Sequence, residues 1–139
     1  MSELRERFPP QGMSLGKFTE QVGVYNTVGP GRTLCFGPGS LDGTDAQSEN
    51  AMPFDGVISR LYCISALPPG AGESFVYTLR VNGADSILTA TISGAVDTQA
   101  QDLTNTVSVS AGDLLNMKIV TSGTATVTYH MISFEVRPF

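Results

Sequence analysis

The chain has 139 residues, 41% of them hydrophobic and only 15% charged, with a formal net charge of −5. Such a chain can bury one core of its own, is too apolar and too lightly charged to stay disordered, and is too acidic to grip a phosphate backbone. No apolar run reaches the roughly 18 residues of a membrane span, and Met1–Arg7 lacks the apolar centre of a secretion signal, so neither nucleic acid nor membrane is an expected partner and a cytoplasmic origin is expected.

Residues 1–19 show no core periodicity. Ser2 can cap a single turn over Glu3–Arg7, which Pro9 and Pro10 end because the residue before proline is pushed out of the helical region. Leu4, Phe8, Met13, Leu15 and Phe18 nevertheless place large apolar groups along this polar stretch. That is the pattern of an extended arm that docks on a partner or packs on its own domain. Residues 20–139 read as one sandwich domain.

Gln21–Asn26 and Arg32–Phe36 read as short strands around the turn Val28–Gly31. A polar loop follows from Ser40 to Asn50, with Asp42, Asp45 and Glu49 as possible oxygen ligands for calcium. Their spacing does not match a calcium-binding loop, and turn-forming Asp and Gly account for it as well. No metal and no cofactor is expected.

Val57–Ile64 carries apolar groups at both parities, Val57, Leu61 and Cys63 against Ile58, Tyr62 and Ile64, which predicts a strand covered on both sides. After the loop Leu67–Gly72 comes the clearest signal in the chain. Phe75, Tyr77, Leu79 and Val81 alternate with Val76, Thr78, Arg80 and Asn82, and Leu88, Ala90 and Ile92 resume the alternation beyond Asn82-Gly83. Two alternating strands around Asn-Gly predict a hairpin with one dry face. Gly94–Asn105 reads as a second long polar loop and Thr106–Ser110 as a short strand with Val107 and Val109 inward. Ala111–Asp113 and Ser122–Thr124 are turns around a strand marked by Leu115, Met117 and Ile119.

The last strand, Ala125–Val136, changes phase: Val127, Tyr129 and Met131 are odd, Ile132, Phe134 and Val136 even. A bulge near Met131–Ile132, or a strand that buries its second half outside its own core, is expected. About eight strands with turns every 8–12 residues and no amphipathic helix indicate an all-β jelly-roll β-sandwich of antiparallel strands behind the N-terminal arm. Its core is expected to hold Leu61, Phe75, Tyr77, Leu79, Val81, Leu88, Ile92, Leu115, Met117 and Ile119.

The chemistry-bearing residues are few. Cys35 and Cys63 sit in apolar strand-like runs and read as small buried hydrophobes; a bridge between them is the less favoured alternative in a reducing compartment. The single histidine, His130, has no Gly-x-Ser-x-Gly elbow to serve and too few companions for a zinc site, so a packed or interfacial role is expected. No phosphate-binding loop is present, and an enzyme is not expected. Carbohydrate binding through exposed aromatics is a rival, weakened by the absence of Trp and by aromatics that fall mostly in strands.

Three runs, Met52–Tyr62, Phe75–Gly83 and Val109–Leu115, carry a resemblance. Together they resemble small jelly-roll virion proteins of tailed bacteriophages, and the Ala111-Gly112-Asp113 turn before an alternating strand is similar to the C1q and tumour necrosis factor family of trimeric jelly rolls. The resemblance covers about residues 52–136 and transfers no catalytic residue. It implies a non-enzymatic virion structural protein, a capsid decoration (cement) protein ahead of a tail or fibre tip that binds a receptor or glycan. It also implies a homotrimer on the capsid surface, assembled in the host cytoplasm, with the major capsid protein as partner. In that frame the arm residues Leu4, Phe8, Met13, Leu15 and Phe18 are the candidates for capsid binding. Tyr62, Tyr129, His130, Ile132 and Phe134 are the candidates for the subunit interface.

Overall fold

The structure, a computed structural model, describes residues 18–37, 40–42 and 49–139, with side chains over 28–35 and 49–139. The described strands are β1 Phe18–Val28, β2 Thr33–Gly37, β3 Ser40–Asp42, β4 Asn50–Ala51, β5 Gly56–Ser65, β6 Gly70–Val81, β7 Ala84–Gly94, β8 Gln99–Val109, β9 Leu114–Thr121 and β10 Thr128–Pro138. Eight principal strands form two antiparallel sheets, with β3 and β4 as short additions. One sheet runs β1-β10-β5-β8; the other runs β3-β2-β9-β6-β7, with β4 beside β9. The protein is an all-β sandwich.

The hairpin is where the Asn-Gly pair puts it. Val81 faces Ala84 directly, and Asn82 and Gly83 turn between them at φ 51° and 78°, the two positive values that match the strand twist. Asn82 also anchors the tip. Its N–H donates to the Leu114 carbonyl at 2.7 Å, its Oδ1 accepts from Leu114 N–H at 2.9 Å, and its Nδ2 donates to Asp113 Oδ1 at 3.0 Å. The loop residue thereby fixes the start of β9.

The core fills the gap between the sheets. Phe75, Tyr77 and Leu79 of β6, Leu88 and Ile92 of β7, and Leu115, Met117 and Ile119 of β9 face Ile58, Leu61 and Cys63 of β5 and Ile132, Phe134 and Val136 of β10. Of the residues expected in the core, Val81 alone is only half-buried, at the hairpin end.

Three local expectations need correction. Strand β5 does not bury two faces along its length. Arg60 takes a left-handed φ of 56°, and the pairing with β10 skips one residue there, from Ser59 opposite Glu135 to Tyr62 opposite Ser133. This bulge changes the phase, so Ile58 joins Leu61 and Cys63 in the core while Tyr62 and Ile64 turn out. Strand β10, conversely, has no bulge. Its alternation is unbroken from Thr128 to Val136, the even residues face the core, and the odd apolar residues Tyr129 and Met131 face solvent. The phase change in the sequence comes from apolar residues on the outer face.

The third correction concerns Gly94–Asn105, most of which is strand rather than loop. Gln99 begins β8, whose few apolar groups gave no alternation to read. Its inward position at 102 is held by a carboxylate. Phe18, counted with the arm by sequence, opens β1 opposite Val136.

Candidate functional site

The outer surface of the four-stranded sheet is the candidate site. The bulge at Arg60 turns Tyr62 and Ile64 outward on β5, and the unbroken pleat of β10 turns out Tyr129 and Met131. Met131 stands opposite Ile64, and Ser133 opposite Tyr62. The four apolar side chains therefore lie as direct or diagonal cross-strand neighbours, close enough to form one patch. They are 42%, 42%, 54% and 56% exposed in chain order, well above what strand residues with a covered face retain.

Beyond β5, Ile64 faces Gln99 and Tyr62 faces Gln101. A shallow groove of about 330 Å³ runs between these strands, lined by Tyr62, Ile64, Gln99, Ala100 and Gln101 over the Cys63 backbone position. On the other flank Gly23 of β1 stands opposite Met131. Across this part of the sheet, Leu61–Ser65, Gln99–Gln101 and Thr128–Ser133 contain no charged residue. Charges flank it, with exposed Asp97 just before Gln99 at one end and, toward the other, Glu135 4.0 Å from Arg60 and 3.6 Å from Arg137.

The expected interface residues separate into two groups. Tyr62 and Tyr129 stand together on this outer face. His130, Ile132 and Phe134 are buried between the sheets at 3%, 0% and 3% exposure, so they are core residues and not surface for a neighbouring subunit. Ile64 and Met131 belong to the patch and were missed. Each shares its parity with an aromatic that was singled out, which was the available signal. Of the arm candidates, Leu4, Phe8, Met13 and Leu15 lie outside the described residues, as does the Phe18 side chain.

His130 is part of a small polar cluster inside the core. Its Nδ1 lies 2.7 Å from the Tyr77 hydroxyl, and the Phe75 ring meets it edge-on with centroids 4.6 Å apart. Burial lowers the imidazole pKa to about 4 and raises that of the Tyr77 phenol, so both are neutral at pH 7. Which of the two donates is set by the imidazole tautomer. Nε2 has no hydrogen-bond partner, and neither does Oγ of Ser65, the residue opposite His130 on β5. Cys63, buried nearby on β5, is pushed up by desolvation and stays a thiol. A histidine this enclosed packs; it has no access to a substrate.

The carboxylates are structural. Asp102 turns inward at the β8 bulge and accepts from Asn105 Nδ2 at 2.8 Å, Asn105 N–H at 3.1 Å, Thr104 N–H at 3.2 Å and Oγ1 at 3.3 Å, and Thr89 N–H of β7 at 3.3 Å. Burial pushes its pKa up, but these donors outweigh that and hold it at about 2. Asp102 thus ties the edge of one sheet to the edge of the other. Asp113 accepts from Ser110 N–H and Asn82, which lower its pKa. Glu73 is lowered by Ser122 and Thr124 in the β9–β10 turn. Asp85 pairs with Arg80 at 2.9 Å and with Lys118.

Among the described residues no three His, Cys, Asp or Glu side chains gather as metal ligands. Asp45 of the calcium alternative, and the Asp42 side chain, lie outside them. Cys35 and Cys63 are on different sheets and not bridged. In comparisons with known proteins, no family model and no curated protein matches the chain.

Proposed function

We propose that this chain is a non-enzymatic virion structural protein, a capsid decoration (cement) protein that sits on the head surface of a tailed phage after assembly in the host cytoplasm. It acts as a homotrimer and binds the major capsid protein. The observation that carries a binding role is the uncharged apolar face of Tyr62, Ile64, Tyr129 and Met131. An exposed patch of this kind, on a sandwich where Glu73, Asp85, Asp102 and Asp113 are held by neighbouring donors or cations, suits a protein contact. The virion assignment itself rests on the resemblance of Met52–Tyr62, Phe75–Gly83 and Val109–Leu115.

The strand orders favour a jelly roll as the finer description of the sandwich. The orders β1-β10-β5-β8 and β2-β9-β6-β7 are what two interleaved Greek keys produce, with the chain crossing between sheets at most connections. The N-terminal arm is extended and grips the capsid lattice through Leu4, Phe8, Met13, Leu15 and Phe18. Quantitative mass spectrometry of purified virions tests the assignment: hundreds of copies per particle support decoration, and absence from the particle overturns it. A handful of copies supports the second reading, a receptor- or glycan-binding tail tip, which the presence of Tyr62 with Gln99 and Gln101 along one groove favours. Glycan-array binding lost in Tyr62→Ala would decide for it.

A further inference from the structure

We infer that the uncharged patch of Tyr62, Ile64, Tyr129 and Met131 on the outer face of β5 and β10 is occupied by a second copy of this chain. The inference deepens the self-association in the reading above and does not depend on the virion assignment.

Three features point to self rather than to another partner. The first is charge. The chain carries a net −5, so two copies repel one another over most approaches. The face around Ile64 and Met131 is free of charge across β10, β5 and β8, and two copies can meet there without bringing carboxylates together. A face built for a basic or acidic partner would carry the complementary charge.

The second feature is the kind of polar group present. Gln99, Gln101, Ser133 and the hydroxyls of Tyr62 and Tyr129 each both donate and accept hydrogen bonds. Each can therefore meet either a donor or an acceptor on a neighbouring copy, so a second copy leaves none of them unmatched. No donor-only or acceptor-only side chain interrupts this stretch.

Shape is the third. The side chains of Tyr129 and Met131 stand up on β10, with Gly23 beside Met131 on one flank, and the groove between β5 and β8 lies on the other flank. Ridge and groove on one face allow the β10 ridge of one copy to enter the β5–β8 groove of the next. The four apolar side chains expose on the order of 400 Å², and with the flanking glutamines and serine the face approaches the roughly 800 Å² per partner of a stable interface.

The test uses the full chain alone, with no capsid present. Light scattering at micromolar concentration gives an oligomer for the wild type. Ile64→Asp and Met131→Asp, both at exposed positions, give monomers with unchanged circular dichroism and melting, their dissociation constants raised about 100-fold or more. Val96→Asp, on the exposed β7–β8 connection, leaves the oligomer intact. A wild type that is monomeric, or Asp variants that remain oligomeric, overturns the inference.

Peroxide oxidation of wild-type Met131 keeps the test independent of how the variants fold. In the oligomer Met131 oxidises at least about tenfold more slowly than in dilute monomer. An equal rate at both concentrations overturns the inference. So does a monomeric wild type whose cosedimentation with capsids is lost in Ile64→Asp, since the face would then belong to the capsid protein. A chain that self-associates by this face yet is absent from virions overturns the virion reading alone.

Discussion

The Tyr77 hydroxyl and His130 Nδ1 meet at 2.7 Å across the gap between the two sheets. Both groups would be poorly placed alone, since each polar atom is enclosed by Phe75 and the surrounding aliphatics. Tyr77→Phe removes the partner of His130 Nδ1 and leaves a buried imidazole nitrogen unpaired, at a cost of about 1–3 kcal/mol. Urea denaturation at pH 7 measures this directly.

The same histidine makes stability depend on pH. Its folded-state pKa is lowered to about 4 by burial, below the roughly 6.5 of an unfolded chain. The unfolded state therefore binds the proton first as pH falls. Stability is fully present above pH 6.5 and declines toward pH 4, by roughly 2–4 kcal/mol. His130→Asn keeps a side chain that can donate or accept but does not titrate, so its stability profile is flatter across this window. Parallel profiles for wild type and variant would count against the assignment.

Asp102 sets a second, more acidic window. Its carboxyl is held at about 2 in the folded state against about 3.9 unfolded. Its contribution is present above the unfolded value and lost as pH falls through the folded one. Asp102→Ala strands the N–H groups of Thr89, Thr104 and Asn105 and should cost roughly 2–4 kcal/mol at pH 7. It should also speed amide exchange first at Thr104 and Asn105.

Arg60 is expected to respond to backbone shape more than to charge. Its φ of 56° disfavours a side chain branched at Cβ, so Arg60→Val should lose about 1–3 kcal/mol. Arg60→Gly should stay within about 1 kcal/mol of wild type, because the exposed contact with Glu135 at 4.0 Å is weak. Melting temperatures of the two variants decide it; similar losses in both would point to the ion pair instead.

Gly56 has no room to grow. A Cβ there would lie 2.5 Å from the Arg137 carbonyl oxygen on the neighbouring strand, and main chain cannot step aside as a side chain can. Gly56→Ala should destabilise by about 1–3 kcal/mol, with Gly123→Ala, which meets nothing within 4 Å, as the tolerated control in thermal melts.

What the sequence revealed and what it concealed follow from how each feature is encoded. Phe75–Ile92 was legible because alternation and Asn-Gly turn chemistry agree there. The β5 bulge was not, because Arg60 is an ordinary residue in a left-handed conformation imposed by its partners on β8 and β10. Without that shift, Ile58 and Leu61 appear to oppose each other, and Tyr62 and Ile64 cannot be told from a second covered face. The first half of β8 escaped notice because its inward position 102 is an aspartate made tolerable by donors from Thr89, Thr104 and Asn105. In β10, apolar residues occupy both parities, one set for the core and one for the surface, and a hydrophobic pattern alone does not say which is which.

The placement of β9 and β10 governs how the chain can be made. They follow every other described strand in chain order, yet β9 lies between β2 and β6, and β10 lies between β1 and β5. Until they emerge, each sheet is two separated fragments whose inner edges present unpaired N–H and C=O groups. Native pairing must wait until β10 has been made, and the Phe18–Val136 pair joins the first described strand to the last. Folding of the sandwich therefore depends on non-local pairing and is slow for its size, and a chain that stops short of β9 carries four open inner strand edges that favour aggregation.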